Sequence, residues 1–313
     1  MLYSDNIDEK TYTDLMNEIK KLNSDWLLIR KSKEYRMGLV FYEILTDVKK
    51  CNFRTLYKSI GRWRKGAKSR KIKSEMSKKK LDHSLIPNYF CNERIAVYTA
   101  IYGAYDHVPE PYCLPDNCDF FLFTDQQYEE SKSAWIVKET PSEILGLSNV
   151  EKNRYLKMHP HKILENYKYS VYIDGNVQVI TDLTEYVNVL GKVGLGIHMH
   201  DTRSCVYDEL EAIGKTGRES KKNIERHTSY LKKTGMPKNY GLLQCNIIVR
   251  ENNNPVCIKI MEDWWKEFFE YTKRDQISLP HVLYRHGVTV SEVGVLGNSV
   301  YKNPSFRVIN HIL

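Results

Sequence analysis

Tyr169-Ser170-Val171-Tyr172-Ile173-Asp174-Gly175-Asn176-Val177-Gln178-Val179 is an apolar run that stops at a carboxylate, Asp174, and resumes at Val177. Its β-branched and aromatic residues favour a buried strand, with Asp174 at the carboxyl end. Gly175 permits a tight backbone, so that Asp174 and Asn176 present oxygens on either side of it. Two oxygens so placed suit a hard divalent cation, Mn2+ or Mg2+, that keeps several waters and binds one or two protein carboxylates plus a substrate's phosphates. Asp-Gly and Gly-Asn also make ordinary turns, and the stretch alone leaves both readings open.

Working outward, residues 94–103 read as a strand entering a glycine turn, residues 119–125 as a strand ending in polar residues, and residues 135–137 as a short third strand. Residues 149–166 read as a helix whose Arg154, Lys157 and His161 share a face, and it leads directly into the Asp174 strand. Beyond it, residues 193–199 form a strand with His198 and His200 on one face, beside Asp201. That pair is either a zinc half-site or two polar active-site or packing histidines without metal. Residues 204–213 and 219–233 look helical, and a strand over 241–249 presents Gln244 and Asn246 together. Pro255 opens a helix with Trp264, Trp265, Phe268 and Phe269 as core. After Lys273 and Arg274, Asp275 and Gln276 stand at the next helix start, where they either cap it or hold sugar hydroxyls. Strand ends that repeatedly deliver polar residues describe an open α/β sheet with its ligand beyond the carboxyl ends.

The chain has 313 residues and a net charge of +8, unevenly spread. Residues 1–90 carry 21 Lys+Arg against 11 Asp+Glu, so the remainder is close to neutral. Within residues 49–80 there are 14 basic residues and one acid, Glu75. Phe53, Leu56, Tyr57, Ile60 and Trp63 form an apolar stripe there, with the basic residues largely off it. An interfacial helix on an anionic membrane looks like this, and a basic helix docked on the globular domain looks the same. No recognisable nucleic-acid reader accompanies the charge, so no nucleic acid is expected. Leu15, Ile19, Leu22, Trp26 and Ile29 make a helical seam that packs on the next helix or on a second copy of the chain. Seven cysteines without a Cys-x-x-Cys pair, and no apparent signal peptide, lead us to expect reduced thiols and a cytoplasmic location, and the basic stretch 49–80 adds the inner membrane face. The expected division is a helical, basic region with linker at 1–90 and an α/β domain at 91–313.

Tyr98-Thr99-Ala100-Ile101-Tyr102-Gly103-Ala104-Tyr105-Asp106, Phe123-Thr124-Asp125, Arg154-Tyr155-Leu156-Lys157 with Pro160-His161, and Tyr172-Ile173-Asp174-Gly175-Asn176 together resemble one family. It is the glycosyltransferase-like domain shared by plant mucilage-related and turgor-defect proteins and by bacterial surface-polysaccharide proteins. The resemblance implies a GT-A-like, Rossmann-like open mixed sheet flanked by helices, preceded here by the basic helical region. It also implies a nucleoside-diphosphate sugar donor, for which the candidate binding residues are Thr99, Tyr102, Tyr105, Thr124, Asp125, Arg154, Lys157 and His161, with Gln244 and Asn246 added from the strand over 241–249. Asp174 and Asn176 stand where GT-A enzymes have Asp-x-Asp, with Asn replacing the second carboxylate.

The expected reaction is transfer of a hexosyl or related group to a hydroxyl of a glycan or lipid-linked glycan, as in capsule or other surface-polysaccharide synthesis. Asp275 and Gln276 are the candidate catalytic pair, and Asp275 or Glu209 the candidate base. His311, and more weakly His198 and His200, join Asp174 and Asn176 as candidate metal ligands. Two rival readings are a metal-dependent hydrolase or amidase using Asp174, His198 and His200, and a non-catalytic sugar-binding module.

Overall fold

The structure is a computed structural model that describes residues 9–32, 93–129 and 133–309. His311 and the basic stretch 49–80 lie outside the described residues. Described strands are β1 (Ile95–Ile101), β2 (Cys118–Thr124), β3 (Trp135–Lys138), β4 (Tyr169–Ile173), β5 (Val177–Val179), β6 (Leu195–Met199), β7 (Leu243–Glu251) and β8 (Phe306–Val308). Described helices are α1 (Glu9–Lys31), α2 (Asn149–Met158), α3 (Pro160–Ile163), α4 (Val206–Lys215), α5 (Lys221–Lys233), α6 (Pro255–Glu270), α7 (Asp275–Arg285) and α8 (Val290–Val293). No described helix is long and apolar enough to cross a membrane.

Six strands form one sheet in the order β3-β2-β1-β4-β7-β6, and β5 pairs with β8 in a second, small one. The first four are parallel, β7 is antiparallel to β4, and β6 is antiparallel to β7. This is the expected open mixed sheet flanked by helices. Every β1 residue is buried, as a strand covered on both faces requires. Alternate side chains supply two cores. Ala96, Tyr98 and Ala100 pack toward Leu156 of α2 and Trp264 and Phe268 of α6, while Ile95 and Val97 pack toward Val177, Val179 and Phe306.

Because β6 runs the same way as β4, one sheet edge gathers the carboxyl ends of β1, β2, β4 and β6 and the amino end of β7. The β6–β7 register breaks there: Ile197 pairs with Ile248, but His198 pairs with Gln244. Residues 245–247 therefore have no β6 partner, while β4 still pairs with Ile247. Such a bulge re-aims side chains.

Two expectations need correction. The helix expected over 149–166 stops at Met158, because His159 leaves helical geometry (φ −122°, ψ 46°) and Pro160 starts a new turn. The strand expected from Val193 begins at Leu195, after a short turn of 3-10 helix that ends on left-handed Gly194 (φ 66°). The partner expected for the apolar seam of α1, the next helix or a second copy of the chain, lies outside the described residues. Met16 and Asn23 are the buried residues, Asn23 donating to the Pro304 carbonyl at 2.6 Å, and Lys20 pairs with Glu185 at 2.7 Å. Leu22 is 62% exposed, and Trp26 and Ile29 are exposed with it.

Candidate active site

Gly175 follows Asp174 for a steric reason. A Cβ there would lie 2.3 Å from Ile101 Cδ1, so only glycine lets the chain turn this closely over β1. Asp174 then meets β7 at its bulge. Its backbone N–H donates to the Asn246 carbonyl at 2.8 Å, and the Asn246 amide donates back to Asp174 Oδ2 at 2.8 Å.

On its other oxygen Asp174 faces Lys157 Nζ at 3.2 Å, and the same ammonium reaches Asp275 Oδ2 at 2.7 Å. Arg154 Nε approaches Asp275 Oδ2 at 3.1 Å. Burial alone would raise the Asp275 pKa, but the Arg154 and Lys157 charges outweigh it and hold the carboxyl well below the usual range. Burial works against the Arg154 cation too, and Asp275 more than compensates. Two carboxylates and two cations thus form one cluster of zero net charge. Lys157 is its buried centre, 1% exposed and 4.9 Å above the Tyr172 ring, while Arg154 and Asp174 keep 23% and 26% of their side chains exposed.

Surrounding elements fix the cluster. Arg250, fully buried, donates to the Lys157 carbonyl at the end of α2 and to the Tyr98 hydroxyl, the latter at 2.6 Å. A cation there matches the negative end of the helix dipole. Trp264 Nε1 donates to the Asp275 carbonyl at 3.0 Å and pins the start of α7. Asn153 donates to the Ala100 carbonyl at 2.5 Å and accepts from Arg154. The Cys245 thiol is pushed up by burial first and then by the Asp275 charge. None of Arg250, Asn153 and Cys245 was expected at the site. Of these, only Arg250 left a signal in the sequence, a charge within an apolar strand.

The other expected residues divide. Asp125 accepts the Gly103 N–H on both carboxylate oxygens at 3.0 Å, and Gly103 is left-handed (φ 71°), so the β1 and β2 ends form one turn. Thr124 Oγ1 accepts from the Gln126 N–H, and Tyr105 is exposed. Tyr102 is buried with its hydroxyl on Thr140, at 2.7 Å. Thr99 lies fully inside the sheet, closed to a ligand. His161 is carried off by the break at His159 and pairs with Glu262 at 3.0 Å. Glu209 pairs with Arg203 at 2.5 Å, and Gln276 is half-buried next to Asp275.

Gln244 and Asn246 do not act together. The bulge sends Asn246 to Asp174, while Gln244 accepts the Val300 N–H at 2.9 Å. Nor do the histidines join Asp174. Buried His198 accepts from Asn303 through Nε2 at 2.9 Å, and His200 Nδ1 accepts the Thr202 and Arg203 N–H groups at 3.2 and 3.1 Å. Among the described residues no group of three His, Cys, Asp or Glu side chains is arranged to hold a metal. The Asn176 amide nitrogen donates to the Ile309 carbonyl at 2.9 Å, which leaves Asp174 as the exposed carboxylate at the strand end.

The sequence family described as "TOD1/MUCI70, glycosyltransferase-like domain" matches residues 69–303. The chain belongs to this family. A family relative, described as "Probable hexosyltransferase MUCI70" from Arabidopsis thaliana, is 24% identical over 214 residues, 60% of this chain. The match spans only 37% of that protein's length. Two solved structures resemble the chain more loosely. "WbbM bifunctional glycosytransferase apo structure" superposes with a TM-score of 0.43 at 16% identity, covering 68% of this chain and 41% of that one. The apo form of mouse xyloside xylosyltransferase 1 superposes with a TM-score of 0.40 at 9% identity, covering 64% and 83%.

Proposed function

We propose that the chain transfers a glycosyl group from a nucleoside-diphosphate sugar to a hydroxyl of a glycan or lipid-linked glycan. The observation that carries this reading is the neutral four-charge cluster closing on Asp174 at the carboxyl end of β4, in a chain of a glycosyltransferase-like family. In the reaction the acceptor oxygen bonds to the anomeric carbon as that carbon's bond to the diphosphate breaks, and the diphosphate leaves with the electron pair. Negative charge grows on the leaving group, and the role of meeting it falls to Arg154, the more exposed of the two cations. Lys157 has a different task. Its ammonium is spent on Asp174 and Asp275, so it holds both carboxylates in place instead of touching phosphate.

A carboxylate clamped by two cations is a weak base, so Asp275 serves as counter-ion and anchor, not as proton acceptor. The donor set fits a divalent cation only in one form. One exposed carboxylate is too little for an all-protein cage, but it suits Mn2+ or Mg2+ arriving on a diphosphate with its own waters, held by Asp174 with Asn176 beside it. Such an ion supplies charge neutralisation of the leaving diphosphate. Because the protein's own cluster is neutral, it offers a diphosphate no excess positive charge of its own.

The test is a thermal-shift panel of nucleotide sugars and nucleoside diphosphates with and without Mn2+ or Mg2+. A ligand at 100 times its Kd adds about 2.7 kcal/mol to the folded state. Stabilisation by one nucleotide class, greater with metal, is the expected result; no stabilisation by any of them removes the reading. The basic stretch 49–80 is proposed to bring this site to an anionic membrane. Co-sedimentation of the full chain with anionic vesicles, lost at high salt and absent with neutral vesicles, is the expected behaviour.

A further inference from the structure

His198, Gln244 and Ser299 are polar side chains buried away from the charge cluster, and they serve one turn. Asn303 donates to His198 Nε2 at 2.9 Å and accepts from the Tyr186 hydroxyl and the Ser305 N–H, each at 3.0 Å. Gln244 accepts the Val300 N–H at 2.9 Å, and Ser299 Oγ accepts the Tyr301 N–H at 3.2 Å. Buried hydrogen bonds of this kind, from three side chains to one turn, hold that turn in place. What it holds outward is Tyr301, 48% exposed, followed by Lys302, which pairs with Asp201 at 2.7 Å.

The place of this turn follows from the sheet. Gln244 stands two residues before Asn246, the partner of Asp174, and Asp201 follows the carboxyl end of β6. Tyr301 therefore stands on the β6 flank of Asp174, while the Gly103–Asp125 turn stands on the β1–β2 flank. Its hydroxyl titrates above the ordinary range, because it is partly shielded and because Asp174 and Asp201 both act on it.

We propose that Tyr301, with the Lys302–Asp201 pair, is the platform on which a pyranose ring of the acceptor glycan binds beside Asp174. An aromatic face takes the apolar C–H face of a sugar, and a rigid one costs little entropy on binding. Lys302 and Asp201 add a donor and an acceptor for neighbouring hydroxyls, and as an ion pair they carry no net charge. This matches a neutral sugar better than a phosphate. The assignment rests on the glycosyl-transfer reading for the word acceptor, but not for the sugar.

The experiment is saturation-transfer NMR on the full chain with the methyl glycosides of glucose, galactose and mannose, beside thermal shifts with UDP and GDP plus Mn2+. Wild-type protein should transfer saturation to the ring protons of at least one glycoside. Tyr301→Ala should weaken that binding about fivefold to tenfold, and Tyr301→Phe should keep most of it. Asp201→Asn should weaken it without touching the nucleotide shift, which Tyr301→Ala should also leave intact. The proposal is overturned by undiminished transfer in Tyr301→Ala, by no transfer to any glycoside in the wild type, or by loss of the nucleotide shift in Tyr301→Ala, which would give the ring to the donor. Glycoside binding through Tyr301 without any nucleotide shift would support the platform and remove the transfer reading instead.

Discussion

Asp174 and Asn246 hold each other through two reciprocal hydrogen bonds, backbone N–H to carbonyl in one direction and side-chain amide to carboxylate in the other, both 2.8 Å. The bulge in β7 makes this possible by turning Asn246 out of register with β6. One oxygen of Asp174 is thereby fixed by a neutral donor and the other by Lys157. The carboxylate is oriented before any ligand arrives, which is what electrostatic preorganisation requires.

Replacing Asn246 by Ala should cost about 1 kcal/mol, the usual net worth of one hydrogen bond. Asn246→Asp should cost more, on the order of 2 kcal/mol at neutral pH, because it sets a second carboxylate against Asp174. The new pair would raise a carboxyl pKa in the folded state, so stability should recover as pH falls toward the ordinary carboxylate range. Urea denaturation at pH 8 and pH 5 checks this. Equal stability of Asn246→Asp and wild type at pH 8 would show that the two groups are not in contact.

Lys157→Met keeps the stem and removes the charge that separates Asp174 from Asp275. Breaking a buried pair by deleting one partner costs about 3–5 kcal/mol, so this variant should melt far below the wild type. Adding Asp275→Asn to Lys157→Met should restore part of the loss, since the stranded carboxylate is then neutral. A Lys157→Met protein of wild-type stability would return the lysine to a solvated face.

Much of this was legible in the chain because it depends on local pattern. The 169–173 run reads as a buried strand, and Asp174, Arg154, Lys157 and Asp275, which the structure gathers into one cluster, each stand out from the pattern around them. What spacing cannot show is which face a later element covers. α7 closes over Lys157, turning an expected phosphate ligand into a buried clamp. Likewise, alternation along β7 places Gln244 and Asn246 side by side only if the register holds, and the bulge breaks it. His198 and His200 look like a metal pair in one dimension, but the Asn303 turn claims His198 Nε2 and the 200–203 turn claims His200 Nδ1.

His159 gives a pH test independent of ligand. Its ring stacks on Tyr155 at 4.1 Å and donates Nδ1–H to the Tyr155 carbonyl at 2.8 Å. Burial lowers its pKa to about 4. A depressed folded value means that the unfolded chain takes the proton first, so stability is complete above pH ~6.5 and is lost as pH falls toward 4. The loss should approach about 3 kcal/mol at the acid end. Denaturation between pH 7 and 4.5 should show this slope in the wild type and a shallower one in His159→Gln. Parallel slopes would mean that the ring is not held neutral.

The charge balance of the cluster yields the sharpest expectation about metal. Asp174→Asn leaves Lys157 paired with Asp275 and changes the net charge from zero to +1. At ~8 Å and an effective dielectric near 20, one charge acts on another by about 2 kcal/mol, and partial exposure of Asp174 reduces that. UDP or GDP without added metal should therefore bind the variant about tenfold more tightly than the wild type. The increment from Mn2+ should shrink, because the carboxylate proposed to meet the ion is gone, and glycosyl transfer should fall to background. Calorimetric titration of UDP and GDP with EDTA and with Mn2+ measures both terms on the same protein. If the Mn2+ increment in Asp174→Asn equals that of the wild type, the ion is held elsewhere and Asp174 has another task.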